Sequence, residues 1–333
     1  MASTRRVCRG IANKVVFAIL CILSAYLLSK FLAIVKRGML ISTSDDVIFT
    51  EYSLERNFSN ITVPARRLYE KNGFVSLQFL NLGYVNITKS WICNVECLGI
   101  LPRVLFITTD EEAHRSLSEW KPELNVVLEK FGDGKAMAYG KVSYYRYGLF
   151  RVQVINRLLR KERIPVFETE ADSYWLGDPV AYFNRYTDFD MIIMHNGCAD
   201  MIPSGVINGG FLYLNATAGT LRVWNKLSRR IASVLARYDD KEKDIGIEGS
   251  EQIILGKILQ SDRLKLQWLP IEKFTSGYWY MQAEVRKKAD PIVILNNYIN
   301  GNGEKVKRAK RWGHWSLSEE GDICIAEACR TAL

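Results

Sequence analysis

The apolar positions along this chain change rhythm twice, and the changes divide it into three stretches. Residues 15–35 are almost continuously apolar, interrupted by Lys30 and a few small polar residues. A run of about 21 residues is long enough to cross a bilayer as a helix. Residues 36–73 are polar and mixed, contain Pro64, and read as a stem. From Phe74 onward, short apolar runs alternate with longer amphipathic ones. Residues 74–80, 104–108, 125–128, 190–194, 210–214 and 291–295 read as strands. Residues 111–120, 147–160, 221–237 and 249–259 read as helices. In the second of these helices Leu149, Val152, Ile155 and Leu159 share a face, while Arg151, Arg157 and Arg160 lie off it. Strands interleaved with helices predict an α/β domain over 74–333 with a mostly parallel central sheet. Such sheets bind ligands beyond the carboxyl ends of their strands, and Asp110, Asp172 and Asn296 each follow a strand.

Charge orients the first stretch. Arg5, Arg6, Arg9 and Lys14 precede the apolar run and predict a cytosolic tail over 1–14. Lys30 lies near the far end, within reach of the interface. The competing reading is a cleaved signal peptide. Leu23-Ser24-Ala25 lacks the small residue three before the cut, which favours an uncleaved anchor over 15–35. The remainder is then lumenal, and a span this short suits Golgi or endoplasmic reticulum membranes. N-glycosylation tripeptides at Asn57, Asn60, Asn86 and Asn215 agree with a single-pass type II topology.

The net charge of +9 points to anionic partners. No compact basic and aromatic element or nucleic-acid motif accompanies it, so nucleic acid is set aside in favour of membrane and phosphates. Of seven cysteines, Cys93, Cys97, Cys198, Cys324 and Cys329 fall in the lumenal part, where disulfides form. The Cys93/Cys97 and Cys324/Cys329 spacings are loose for zinc and no histidine accompanies them. A disulfide from the Cys93/Cys97 region to the C-terminal segment is expected instead. No GxGxxG and no GK[ST] occurs, which excludes dinucleotide-binding and P-loop phosphate sites.

The chemistry concentrates in Glu168-Thr-Glu-Ala-Asp-Ser-Tyr-Trp-Leu-Gly-Asp-Pro179, directly after an apolar strand. Glu170 and Asp172 are two apart, so in extended backbone they point to one side. Two carboxylates at a strand end can hold a hard divalent cation against phosphates. The plain alternative is a solvated acidic turn.

Five ordered blocks over about 74–315 resemble the nucleotide-diphospho-sugar transferase domain of glycosyltransferase family 77, which includes plant xylosyl- and arabinosyltransferases and animal relatives. They are Leu101-Pro-Arg-Val-Leu-Phe-Ile-Thr-Thr-Asp110; Gly148-Leu-Phe-Arg151 leading into the acidic run; Ile207-Asn-Gly-Gly-Phe-Leu-Tyr-Leu214; Glu251-Gln252; and Pro291-Ile-Val-Ile-Leu-Asn-Asn-Tyr298 with Gly301, Lys305, Arg308 and Trp312 to Trp315. The resemblance implies a GT-A fold, a nucleotide-sugar donor such as a UDP-sugar, a divalent cation (Mn2+ or Mg2+), retention of anomeric configuration, and a glycan or glycoprotein acceptor. It places the cation on Glu170 and Asp172. Asp110, Arg151, Lys305, Arg308 and Asn297 are placed on the donor, and Glu251, Gln252 and Asn208 around the reacting sugar. Each has a structural alternative: a strand-end turn for Asp110, a surface ion pair for Arg151, a solvated basic face for Lys305 and Arg308, a tight turn for Asn208 and a helix-start acid for Glu251. Trp268, Trp279 and Tyr280 are candidates for an acceptor groove or for core packing, and His195 is read as structural. Glu170 replaces the usual first aspartate. Leu295 stands where relatives carry a ligating histidine, leaving Asn296, Asn297 or His314 to substitute. That departure motivates a second reading, a catalytically inactive GT-A domain that binds glycans or acts as a scaffold.

Overall fold

Strands that are apolar on both sides need cover on both faces of their sheet. The computed structural model, which describes residues 58–132, 137–197 and 206–325, provides that cover. A seven-stranded sheet contains β1 (Val75–Leu80), β2 (Val104–Thr108), β3 (Asn125–Leu128), β4 (Val166–Thr169), β6 (Met191–His195), β7 (Ile207–Leu214) and β8 (Leu266–Trp268). A smaller sheet joins β5 (Ser173–Trp175), β10 (Val293–Leu295) and β9 (Phe274–Thr275), in that order. The large sheet runs β3-β2-β1-β4-β7-β6-β8. Pairings β1–β2, β2–β3, β1–β4 and β6–β8 are parallel, while β7 runs antiparallel to β4 and β6. The sheet is therefore mostly parallel, as expected, and the carboxyl ends of β1, β2, β4, β6 and β8 meet the start of β7 at one edge.

Successive strand residues feed two cores. On one face Leu77, Leu105, Ile107, Val166 and Ile193 pack with helices α1 (Ser59–Asn72), α4 (Val142–Arg157), α6 (Ala218–Leu235) and α7 (Glu251–Leu259). On the other, Val104, Phe106, Phe167, Ile192 and Phe211 pack with α2 (Val85–Val95), α3 (Glu111–Trp120), α5 (Pro179–Phe183) and the small sheet. Three helices near the C-terminus complete the described chain: α8 (Tyr278–Met281), α9 (Ala283–Lys288) and α10 (Asn302–Arg311).

Three of these helices escape the periodicity. Helix α1 falls in the stretch that reads as a stem, yet its Ile61, Ala65 and Leu68 join the core. Its polar majority and internal Pro64 hide a narrow apolar stripe. Helix α2 is buried at every position but Asn86, polar Thr88, Lys89, Ser90 and Asn94 included, so it has no polar face broad enough to set a period. Helix α10 buries only Ala309 and is otherwise polar and basic. The tail over 1–14, the apolar run over 15–35, the stem up to residue 57, Cys198 and Cys329 lie outside the described residues. Among the described residues no helix is long and apolar enough to cross a membrane.

Cys93 of α2 is bonded to Cys324, closing a loop with a sequence separation of 231 residues, which is the kind of link expected from the cysteine positions. Long loops gain most from cross-linking, and a native disulfide contributes about 2–4 kcal/mol. Cys324→Ser is expected to lower the thermal midpoint measured without reductant, and dithiothreitol should bring the wild type down to the variant's value.

Candidate active site

Glu168, Glu170 and Asp172 leave the end of β4 two residues apart, and all three carboxylates meet a cation or a carboxylate neighbour inside the protein. Glu168 is buried and faces α4, where its Oε1 accepts from Arg151 Nε at 3.0 Å and Nη2 at 2.6 Å. Arg151 Nη1 lies 3.5 Å from Glu170 Oε1. Burial opposes the Arg151 charge, but Glu168 and Glu170 outweigh it and hold the guanidinium protonated. Asp172 is buried and ion-paired to Lys305 Nζ of α10, which also donates to the Tyr84 hydroxyl at 3.0 Å. Burial again opposes the charge, and Asp172, Tyr84 and Glu170 raise the Lys305 pKa above the ordinary lysine value. Tyr84 is pushed up to about 12 by burial and the Asp172 charge.

Glu170 is the poorly compensated member. Burial and then Asp172 push its carboxyl up to about 7, against the pull of Arg151 and Lys305. It rests on Gly210 of β7, where an added Cβ would sit 2.3 Å from the Glu170 carboxyl carbon, so a side chain there would displace the carboxylate. Asn208 Oδ1 accepts from Gly210 N at 2.8 Å in the same strand, and Gln252 Oε1 accepts from Gly209 N at 3.0 Å. Glu251 packs on Gly148 of α4, one turn from Arg151, where a Cβ would lie 2.8 Å from its Oε2. Ser250 caps α7 and so points Glu251 and Gln252 from the first turn into the site.

The loop after β10 closes the other wall. Asn296 N donates to Asp172 O at 2.8 Å, and Arg308 Nε donates to Asn296 Oδ1 at 2.6 Å. Asn297 Oδ1 accepts from Gly277 N at 2.6 Å, and its Nδ2 donates to Asn196 Oδ1 at 3.1 Å. Asn208 Nδ2 reaches the same Asn196 oxygen at 3.5 Å. Beside Glu170 an open cleft of about 610 Å³, solvent at its mouth included, is lined by Phe79, Asn81, Tyr84, Tyr144, Tyr147 and Arg151, among others.

The structure thus brings together Arg151, Glu170, Asp172, Asn208, Glu251, Gln252, Asn297 and Lys305. Two expected donor residues are engaged otherwise. Asp110 caps α3 by accepting from Ala113 N at 2.8 Å, and its other oxygen accepts from Leu82 N at 2.9 Å. Arg308, within the field of Asp172, donates to the Asn296 side chain and the Asn297 carbonyl. Leu295 is buried in the apolar core. His314 stacks on Tyr174 at 4.1 Å, and its Nδ1 is 2.8 Å from the Tyr280 hydroxyl. Burial lowers its pKa to about 4. Tyr280 is buried and Trp279 packs on Trp312, while Trp268 stacks on His195 at 4.2 Å. Glu168, Tyr84 and Asn196 are site residues that the periodicity does not single out; for Glu168 the two-residue spacing to Glu170 was the available signal.

Among the described residues no group of three or more His, Cys, Asp or Glu is arranged to hold a metal ion. The donor set nevertheless fits a hard divalent cation of the magnesium type, which commonly takes one or two carboxylates and completes its shell with water and substrate phosphates. The raised Glu170 pKa beside Asp172 marks uncompensated negative charge at that point. Its sign fixes a pH dependence. A carboxyl with pKa about 7 when folded and 4.5 as its reference value contributes stability that is present below 4.5 and lost as pH rises through about 7. In chelator, Glu170→Gln is expected to remove that loss, so the variant's thermal midpoint should exceed the wild type's at pH 8 and the gap should close towards pH 5.

A family model described as nucleotide-diphospho-sugar transferase matches residues 99–309. UDP-D-xylose:L-fucose alpha-1,3-D-xylosyltransferase 1 of Arabidopsis thaliana is 23% identical over 272 residues, covering 77% of this chain and 74% of that protein. Beta-arabinofuranosyltransferase RAY1 of the same plant is 20% identical over 270 residues, and the match spans 77% of this chain but only 50% of that protein. Among solved structures, the glycosyltransferase GlyE of Streptococcus pneumoniae is similar with a TM-score of 0.43 at 13% identity, over 72% of this chain and 60% of that one. The family match takes in more than half of the 333 residues, and the chain belongs to the nucleotide-diphospho-sugar transferase family.

Proposed function

We propose that the protein is a retaining glycosyltransferase of GT-A type that moves a sugar from a UDP-sugar to a glycan or glycoprotein acceptor with the help of a divalent cation. The observation that carries this reading is the meeting of Glu170, Asp172 and Lys305 at the end of β4, beside the 610 Å³ cleft, in a chain of this family. Pentoses are the first donors to try, because the two curated relatives are named for xylosyl and arabinofuranosyl transfer.

The chain's own groups divide the work. A cation on Glu170 and Asp172 would supply Lewis-acid stabilisation of the departing diphosphate. Lys305 brings a buried, fully protonated ammonium to the same place and adds charge-assisted hydrogen bonding to phosphate. Arg151, held by Glu168, orients Glu170 and lines the cleft. Gly209 and Gly210 let Gln252 and Glu170 lie against the start of β7, where Gln252 and Asn208 hold their amides. Glu251 sets a carboxylate where positive charge develops on the sugar ring. Asp110 shapes the cleft wall through its cap.

Purified full-length protein is expected to turn over at least one UDP-sugar with Mn2+ or Mg2+. Chelator or Asp172→Ala should lower kcat by about a hundredfold or more, the scale of removing a key electrostatic stabiliser. Equal activity in wild type and variant would remove the cation assignment. Absence of turnover across UDP-sugars, with glycan binding retained, would establish the inactive-scaffold reading that Leu295 motivates.

The same proposal places the domain in the Golgi or endoplasmic reticulum lumen, anchored through residues 15–35. The Cys93–Cys324 bond and the exposed Asn60 and Asn86 support it. Asn215 donates its amide to Phe189 O at 2.9 Å, which leaves it a poor glycan acceptor. Protein expressed in a secretory host is expected to lose mass on glycosidase treatment. Asn57→Gln, Asn60→Gln and Asn86→Gln together should abolish most of that shift, and Asn215→Gln should not.

A further inference from the structure

Tyr298 adopts φ +58°, and with Arg163 it is one of two non-glycine residues with positive φ among those described. Arg163 ends a helix, where this conformation is ordinary. Tyr298 is in a loop, and for a bulky residue the left-handed region is unfavourable. The surroundings enforce it. Asn296 is bonded to Asp172 O and Arg308, and Asn297 is held through its side chain by Gly277 N and Asn196 and through its carbonyl by Arg308. The two loops are in backbone contact, since a Cβ on Gly277 would lie 2.1 Å from Asn297 O.

This fastening serves no core. Tyr298 is 43% exposed, and its ring rests on Tyr278 with centroids 4.6 Å apart. Met281, three residues along α8 and so on the same helix face as Tyr278, is 49% exposed. A rigidly held aromatic pair, its Tyr298 member exposed and Tyr278 half-buried, therefore adjoins the Asn196–Asn208–Asn297 cluster, which borders Gly210 of β7 under Glu170. Neither tyrosine lines the 610 Å³ cleft beside Tyr84 and Arg151, so the pair stands apart from the place assigned to the nucleotide.

We propose that Tyr298 and Tyr278 form the platform on which a pyranose ring of the acceptor glycan stacks. The proposal rests on the transferase reading. A pyranose has one face of polarised C–H bonds and an edge of hydroxyls. The negative face of an aromatic ring attracts the first, and the neighbouring asparagine amides suit the second. A rigid platform also lowers the ordering cost of binding.

The test uses full-length protein and a panel of methyl pyranosides, with binding read by saturation-transfer NMR and turnover read with the UDP-sugar that supports it. Tyr298→Ala is expected to weaken pyranoside binding about tenfold or more, and Tyr298→Trp should recover it to within about threefold. In turnover, Tyr298→Ala should raise acceptor KM about tenfold while donor KM moves by less than about threefold. Unchanged pyranoside binding in Tyr298→Ala, equal shifts in both KM values, or binding of lipid vesicles or another protein in place of sugars would overturn the platform. Wild type that binds pyranosides through Tyr298 but turns over no UDP-sugar would leave the platform standing and sink the transferase reading. Turnover that is indifferent to Tyr298 would do the reverse.

Discussion

Three carboxylates leave one strand end of this protein, Glu168 and Asp172 into an environment largely closed to water and Glu170 onto the cleft, and much of the surrounding structure makes that tolerable. An isolated buried charge costs several kcal/mol, and a pair offsets the cost only with good geometry and further hydrogen bonds. Arg151 comes from α4 on one face of the sheet, and Lys305 from α10. Arg151 is buried and Lys305 mostly covered, so neither cation would be placed there without its partner. The acidic strand end and its two basic helices are therefore one unit. Removing either side strands the other.

That unit sets the demands on its neighbours. Glu170 needs room, and Gly210 provides it by lacking a side chain. Glu251 needs the same from Gly148. At the start of β7, Asn208 and Gln252 accept from Gly210 N and Gly209 N. Asn196 then links this strand to the Asn297 loop, which Arg308 braces from α10. The helix that carries the Lys305 charge thus also fixes the loop that bears Tyr298. Charge balance and the exposed aromatic rim share one support.

The family assignment and the chemistry are connected through this geometry. On the proposed reading, a diphosphate would bring further negative charge beside Glu170, whose ionised form burial and Asp172 already disfavour, so a cation would arrive with it or Lys305 would exchange partners. A carboxylate pair with no preassembled third ligand suits an ion that enters with its substrate. Leu295 in place of the histidine that the resemblance implies would then change when the site is completed without by itself emptying it.

Local patterns made much of this readable from the chain. The two-residue spacing of Glu168, Glu170 and Asp172 follows from extended backbone, and the helix period placed Arg151 off the apolar face of α4. The runs around Asn208 and Glu251 lie within single turns, and apolar strands between helices specified an α/β layered fold. What the chain did not disclose were pairings between distant segments. Lys305 meets Asp172 across 133 residues, and a basic helix with one buried residue gives no periodic sign of it. Asp110 shows the same limit: a strand-end acid and a helix cap look alike in sequence, and the structure shows the cap, with Leu82 N and Ala113 N donating to its oxygens. The core role of α1 was hidden by its narrow apolar stripe, and that of α2 by buried polar residues that blur its period. Sequence determines what each segment can do within a few residues. Only tertiary structure decides which charges meet, since that depends on the packing of the whole sheet.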